Sequence, residues 1–152
     1  MKKILVLSDS HGHFDKVLKI YEIENPDIVI YTGDGLRDIE ELSYIYDSEF
    51  YIVNGNCDFF EKNYGLTKIL NIENIKIFIT HGHLYGVKTN LNNLKNMVQE
   101  VDARIGIFGH THKEILENFD NFYLFNPGAA ENGKYGIIYI KDEKIKFFHK
   151  RI

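Results

Sequence analysis

The stretch ILVLSDSH, residues 4–11, decides how this chain is read. Four consecutive apolar residues, Ile4 to Leu7, are the pattern of a strand covered on both faces. The run ends in a polar loop, SDSHGH. Apolar residues then recur at helical spacing, at Phe14, Val17, Leu18 and Tyr21, until Asn25-Pro26 stops the helix near Ile23. The same unit repeats. A second buried strand, Ile28 to Tyr31, ends in TGDG and leads to a helix with Ile39, Leu42 and Tyr46 on one face. A third strand, Phe50 to Val53, runs straight into GNCD. Three such units in series predict an α/β fold with a largely parallel sheet.

The second half has a different texture. Leu66 to Ile79 reads as a strand pair turning at Glu73-Asn74, and its second strand ends in THGH. A helix with Leu91, Leu94, Val98 and Val101 on one stripe follows, and the strand Arg104 to Phe108 ends in GHTH. Short strands near 114–118, 121–125, 135–140 and 144–149 close the chain, the last two joined at Asp142-Glu143. Antiparallel hairpins after parallel units predict two sheets packed face to face with helices outside, in one domain spanning residues 1–152.

Length and charge narrow the function. A chain of 152 residues can bury roughly two-thirds of the surface it would expose unfolded, so neither metal nor disulfide is needed merely to fold it. No apolar run approaches the ~20 residues of a membrane span, and no membrane partner is expected. The formal net charge is −4, and lysine and arginine form no block beyond short pairs, which argues against stable binding of a nucleic-acid polymer. An anionic substrate must therefore be attracted by something other than basic side chains. The single cysteine, Cys57, excludes an internal disulfide, and the apolar stretch after Lys2-Lys3 is too short for a secretion signal, so a cytoplasmic protein is expected.

Six of the seven histidines fall into His-x-His pairs: His11/His13, His81/His83 and His110/His112. Each pair sits where an apolar strand ends, the place where ligand sites form in open α/β sheets. Residues i and i+2 of an extended chain project to one side, so a pair can aim two imidazoles into one pocket. Asp9 precedes His11 by two, Asp34 follows Gly33, and Asn56 follows Gly55. Any one of these residues alone would be read as a cap or a turn group. Together, five strand ends supply Asp9/His11, Asp34, Asn56, His81 and His110/His112: two carboxylates, one amide oxygen and four imidazoles. That is about what two divalent cations need if one carboxylate bridges them.

SDSH at 8–11, TGD at 32–34, GNCD at 55–58, THGH at 80–83 and GHTH at 109–112 resemble, in order, the motifs of the calcineurin-like metallophosphoesterases. NPGA at 126–129 resembles the family's late Asn-Pro-Gly-Ser loop, with alanine for serine. The likeness is greatest to the small single-domain bacterial and archaeal phosphodiesterases. It implies an α/β sandwich of two mixed sheets flanked by helices. It also implies one metal held by Asp9, His11 and His112, a second held by Asn56, His81 and His110, and Asp34 bridging them. Nitrogen and oxygen ligands without thiolate suit Mn²⁺, Ni²⁺, Fe²⁺, Co²⁺ or Zn²⁺, and the resemblance favours manganese.

The expected substrate is a small phosphate ester, most simply a diester, hydrolysed by in-line attack of a metal-bridging hydroxide. Two divalent ions bring +4 and two aspartates remove two, so the site stays positive within an acidic chain. Asp34 and Asn56 therefore count as catalytic residues as well as ligands. Many relatives carry a leaving-group histidine directly after the ligand asparagine, where this chain has Cys57. His83, and after it His13, are the candidates for that role, unless they are supporting or surface histidines. Arg37 reads as a solvated residue at a helix start, Asp58 as a partner of a ligand or of its loop, and His149 as a residue without a role at the site.

Rival readings remain. HGHFDK at 11–16 begins like the metallo-β-lactamase motif, but Lys16 stands at its final histidine and the segment already reads as a packed helix. The motifs are also compatible with a protein-binding scaffold on the same fold, as in the retromer subunit Vps29, and with a phosphomonoesterase or nucleotide hydrolase. Phe59, Phe60, Tyr64 and Tyr85 could stack on a base or aryl group, or pack against another subunit of a homo-oligomer.

Overall fold

Strand β1, Lys2–Leu7, points alternate side chains to two different cores. Ile4 and Val6 face a second sheet, and Leu5 and Leu7 face helices, so both sets are buried and the run reads as continuously apolar. The same alternation divides Ile28 and Ile30 from Val29 and Tyr31 in β2, Ile28–Tyr31. The computed structural model describes residues 1–59 and 61–152; Phe60 lies outside the described residues.

Helices α1, Phe14–Glu24, and α2, Leu36–Ile45, follow these strands, and β3, Glu49–Ile52, completes the parallel set. The hairpin of β4, Thr67–Ile72, and β5, Ile75–Thr80, turns at Glu73-Asn74, both at positive φ as a two-residue primed turn requires. Helix α3, Asn92–Glu100, precedes β6, Ile105–Ile107; β7, Glu114–Asn118; and β8, Tyr123–Pro127. The last hairpin, β9, Lys134–Lys141, and β10, Lys144–Arg151, uses the same primed turn at Asp142-Glu143.

The strands form two five-stranded sheets, ordered β10-β9-β1-β2-β3 and β4-β5-β6-β8-β7. Both are mixed. The expected largely parallel sheet is confined to β1-β2-β3 on one side and β5-β6-β8 on the other, because the first sheet takes in the closing β9-β10 hairpin and the second is edged by the antiparallel strands β4 and β7. Isoleucines from both sheets, with Val6, Val53, Leu70 and Phe125, fill the space between them. α1 and α2 cover the outer face of the first sheet, and α3 covers the second. Among the described residues, no helix is long and apolar enough to cross a membrane.

One strand starts later than its sequence suggests. The pattern predicts extended chain over 121–125, but β8 begins at Tyr123 and includes Asn126 and Pro127. Phe122 instead stacks on Phe119, 4.7 Å between ring centres, and Phe122 O accepts the Phe119 N–H at 2.8 Å, so these two residues close the hairpin around Asp120-Asn121.

Candidate metal centre

The loops leaving β1, β2, β3, β5 and β6 meet at one edge of the sandwich. Asp9 N–H donates to Gly33 O at 2.9 Å, His11 N–H to Asp34 O at 3.1 Å, and Gly109 N–H to His81 O at 2.9 Å. Gly55 shows why small residues are needed here. A Cβ at that position would collide with the Asp34 carboxylate and backbone, so only glycine lets the GNCD loop lie against TGD.

Five of the seven expected ligands have positive φ: Asp9 at 55°, His11 at 44°, Asp34 at 66°, His110 at 70° and His112 at 63°. Outside glycine that region is uncommon, and such residues gather where function demands a particular aim. Left-handed backbone takes two of the His-x-His motifs out of the extended i, i+2 geometry that can aim both rings into one pocket, whereas His81 and His83 keep their rings 5.5 Å apart. His13 is exposed and its Nδ1 faces Ser10 O at 2.9 Å, away from His11. His110 and His112 go to different groups.

Those groups are Asp9, His11 and His112, and Asp34, His81 and His110; within each, the potential ligand atoms lie within 4.8 Å of one another. The two sets share a border. Asp34 Oδ2 is 3.2 Å from His81 Nε2 and 3.9 Å from His11 Nε2, while Asp9 Oδ1 is 3.2 Å from His112 Nε2 and 3.9 Å from His81 Nε2. Both aspartates therefore stand at the border, each 3.2 Å from a histidine of its own group and 3.9 Å from one of the other. Asn56 is flanked by Gly55 and Cys57, both against Asp34, with the Cys57 N–H donating to Asp34 Oδ1 at 2.8 Å.

The donor atoms fit a pair of divalent cations. Asp9 Oδ1, His11 Nε2 and Asn56 Oδ1 are buried without a hydrogen-bond partner, and burying such atoms unpaired is costly. All are nitrogen or oxygen atoms of the kind that first-row divalent metals bind. Asp9 Oδ2, by contrast, is occupied by the Ser8 hydroxyl at 2.6 Å and the His110 N–H at 3.0 Å, which fixes the carboxylate with Oδ1 free.

The electrostatics follow from crowding. Burial would push the Asp34 carboxyl up, but the bond and charge of His81 and the Cys57 N–H hold it well below the usual carboxylate range. Burial likewise works against charged His81, yet Asp34 and Asp9 keep its pKa raised. Burial and the charge of His81, with Lys88 behind them, depress His110 to about 4. Burial and His81 also lower His83.

Supporting contacts aim the rings. His81 Nδ1 faces Thr32 O at 2.8 Å, leaving Nε2 toward Asp34. His112 Nδ1 lies 3.3 Å from Glu131 Oε1, which leaves Nε2 toward Asp9. No motif in the sequence marks Glu131, since 19 positions separate it from His112 and only tertiary folding joins them. Asp38 Oδ2 accepts the Ser10 hydroxyl and the Gly12 N–H at 3.0 Å, and Ser10 Oγ lies 2.7 Å from the Tyr31 hydroxyl, so this buried trio holds the first loop. Asn126 donates to Gly109 O at 3.0 Å and to Thr111 Oγ1 at 3.1 Å, holding the GHTH loop. His149, expected to have no role here, lies flat on Phe125 and bonds Asn126 O at 2.8 Å. Arg37 is exposed and pairs with Glu61 at 3.0 Å.

Residues 1–142 match the model of the calcineurin-like phosphoesterase superfamily domain. The chain belongs to that superfamily. A probable metallophosphoesterase of Bacillus subtilis is 32% identical over 129 residues, 83% of this chain and 73% of the relative. A phosphodiesterase of Methanocaldococcus jannaschii is 29% identical over 145 residues, 84% of each. A predicted phosphoesterase from Streptococcus pneumoniae superposes with a TM-score of 0.85 at 28% identity, covering 99% of this chain and 89% of that one. Vps29 of Entamoeba histolytica, solved with zinc, has the same fold, with a TM-score of 0.79 at 22% identity over 98% of each chain. As a metallophosphoesterase-superfamily chain, this one presents its two ligand groups on the superfamily's mixed-sheet sandwich.

Proposed function

We propose that this chain is a phosphodiesterase dependent on two divalent metal ions. The observation that carries the reading is the pair of adjoining ligand groups with Asp9 and Asp34 at their border and three buried donor atoms without a hydrogen-bond partner. Asp9, His11 and His112 would hold one ion, Asn56, His81 and His110 the other, and Asp34 both. When bound, the ions would lower the pKa of a water and bind phosphoryl oxygens. The family's use of divalent metals and the relative named as a phosphodiesterase support the choice. Ligand chemistry admits manganese, nickel, iron, cobalt or zinc, with manganese proposed first.

The chain's own groups set the rest. Only two of the seven ligands are anionic, so a loaded site keeps a positive surplus that draws a phosphate ester into a protein of net charge −4. Asp34, clamped by the Cys57 N–H, keeps the two halves in register. His83, 5.5 Å from the His81 ring and 6.2 Å from His110, with a buried Nδ1 without a partner, is the group this reading assigns to hand a proton to the departing ester oxygen. Cys57 is not the nucleophile in this reading, because burial and Asp34 raise its thiol above the ordinary range and keep it protonated.

The test is a metal-by-substrate screen on chelated protein, comparing aryl mono- and diesters and cyclic nucleotides under Mn²⁺, Ni²⁺ and Mg²⁺. Diester hydrolysis that returns with metal and disappears in the Asp34→Asn, His110→Ala double variant is expected. Hydrolysis surviving in that variant overturns the reading, preference for monoesters shifts it to a phosphomonoesterase, and absence of turnover with every metal leaves the scaffold.

A further inference from the structure

Two clefts open beside the ligand groups and adjoin at Asp58 and Glu61, which line both. The smaller, about 280 Å³, is lined by His11, Asp34, Arg37 and Asp38 among others. The larger, about 480 Å³, runs from Asn56 and His83 outward past Phe59 and Leu66. A site for a monoester needs room for one organic group. Two clefts meeting at one ligand cluster fit a diester, with one ester group in each.

The larger cleft is less polar than its composition suggests, because its polar side chains hold the loop together. Asn54 accepts the Tyr64 N–H at 2.7 Å and donates to Lys62 O at 3.0 Å. Asn63 accepts the Gly65 N–H at 2.9 Å, Glu61 is paired with Arg37, and the Asp58 carboxylate is surrounded by backbone N–H groups. The surface left to meet a ligand is Phe59, 81% exposed, and Leu66, 45% exposed, with His83 lining the inner end of the cleft beside the ligand groups. Phe59 follows immediately after Asp58, whose bonds anchor this end of the loop to TGDG.

We propose that the cleft between Phe59 and Leu66 binds a flat aromatic ester group of the substrate, an aryl ring or a nucleobase, and that these two side chains set specificity. The inference rests on the phosphoesterase reading above. A planar apolar group gains there from ring stacking and from water released off two exposed hydrophobic surfaces, while its phosphate lies over the ligand cluster. A small alkyl ester has nothing to gain from the same surface.

Calorimetry on the manganese-loaded protein with phenylphosphonate, a nucleoside 5′-monophosphate and methylphosphonate tests this. At least one aromatic ligand should bind on the order of 10-fold more tightly than methylphosphonate, which corresponds to about 1.4 kcal/mol. Which one does so tells an aryl group from a nucleobase. In Phe59→Ala and Leu66→Ala the ratio should fall toward 1, while Tyr44→Ala, on an exposed face of α2, should keep it. Equal affinities in the unaltered protein, or a preference that survives both substitutions, overturn the inference while leaving the phosphoesterase reading intact. Failure of all three ligands to bind overturns that reading too.

Discussion

The Asp58 carboxylate accepts the backbone N–H of Asp34 at 2.7 Å, and the same side chain also takes the N–H groups of Gly35 at 3.0 Å, Leu36 at 3.3 Å and Gly55 at 2.8 Å. A buried residue of the GNCD loop thus holds the TGDG loop and the start of α2 by their unsatisfied donors, the groups every helix N-terminus leaves over. Asp58→Asn keeps the shape but turns an acceptor into a donor facing N–H groups. Because buried donors left unpaired cost about 1–3 kcal/mol, unfolding in urea should show a loss of that size in chelator. Metal affinity should fall as well, through the loosened Asp34. An unfolding midpoint unchanged from the parent would show that the four bonds do not stabilise the loop.

Glu131 acts at the opposite side of the centre. Its Oε1, 3.3 Å from His112 Nδ1, fixes which imidazole nitrogen faces Asp9. Replacing such an outer partner typically costs about 10- to 100-fold in metal affinity. Glu131→Gln should lose manganese affinity within that range by calorimetry. Its unfolding free energy without metal should stay within about 0.5 kcal/mol of the parent, as expected for a partly exposed change. Unaltered affinity would reduce the contact to a surface pair.

Far from the site, Glu24 ends α1 with its carboxylate buried among Lys3 at 2.9 Å, Lys150 at 2.8 Å and the Tyr135 hydroxyl at 2.8 Å. Burial alone would raise its pKa, but those three bonds outweigh it and bring the group down to about 2 from 4.5. A depressed folded-state pKa contributes stability that is complete above about 4.5 and lost as pH falls toward about 2, worth roughly 3 kcal/mol at most. Acid titration of the unfolding free energy should therefore fall more steeply across that window in the parent than in Glu24→Gln, which starts lower and stays flatter. Parallel curves would show that Glu24 does not govern acid stability.

What the sequence disclosed follows from where the physics is local. Ile4 to Leu7 and Ile28 to Tyr31 read as strands because both faces are apolar. Glu73-Asn74 and Asp142-Glu143 read as hairpin turns because of where they lie between strands. Strand ends could be matched to Asp9, Asp34 and His81 because each motif directly follows its strand. The division of His110 from His112 was not legible in their spacing, since it depends on left-handed backbone at both residues, one on each side of Thr111. Glu131 beneath His112 and Asp38 beneath Ser10 were hidden for the same kind of reason: each contact joins segments that only the folded sheets bring together. His149 packs from the last strand onto Phe125, and nothing around it in the chain announces this.

The step most open to decision is the proton that the leaving group needs. His83 lies beside His81 and His110, carries an unpartnered Nδ1 and lines the larger cleft, whereas Cys57 is exposed with its Sγ 3.7 Å from Asn56 Nδ2. An aryl leaving group with a low pKa departs without help, and an alkoxide does not. General acid catalysis is worth about 10²- to 10⁴-fold, so His83→Gln should slow an alkyl phosphodiester by that much and a nitrophenyl diester by only a few-fold. Adding Cys57→His to that variant should restore part of the alkyl rate if the residue after Asn56 can reach the same oxygen. The comparison is made in kcat at saturating substrate, so that the binding contribution of the cleft does not enter. Equal losses on both esters would mean that His83 binds or supports the site and that the proton comes from elsewhere.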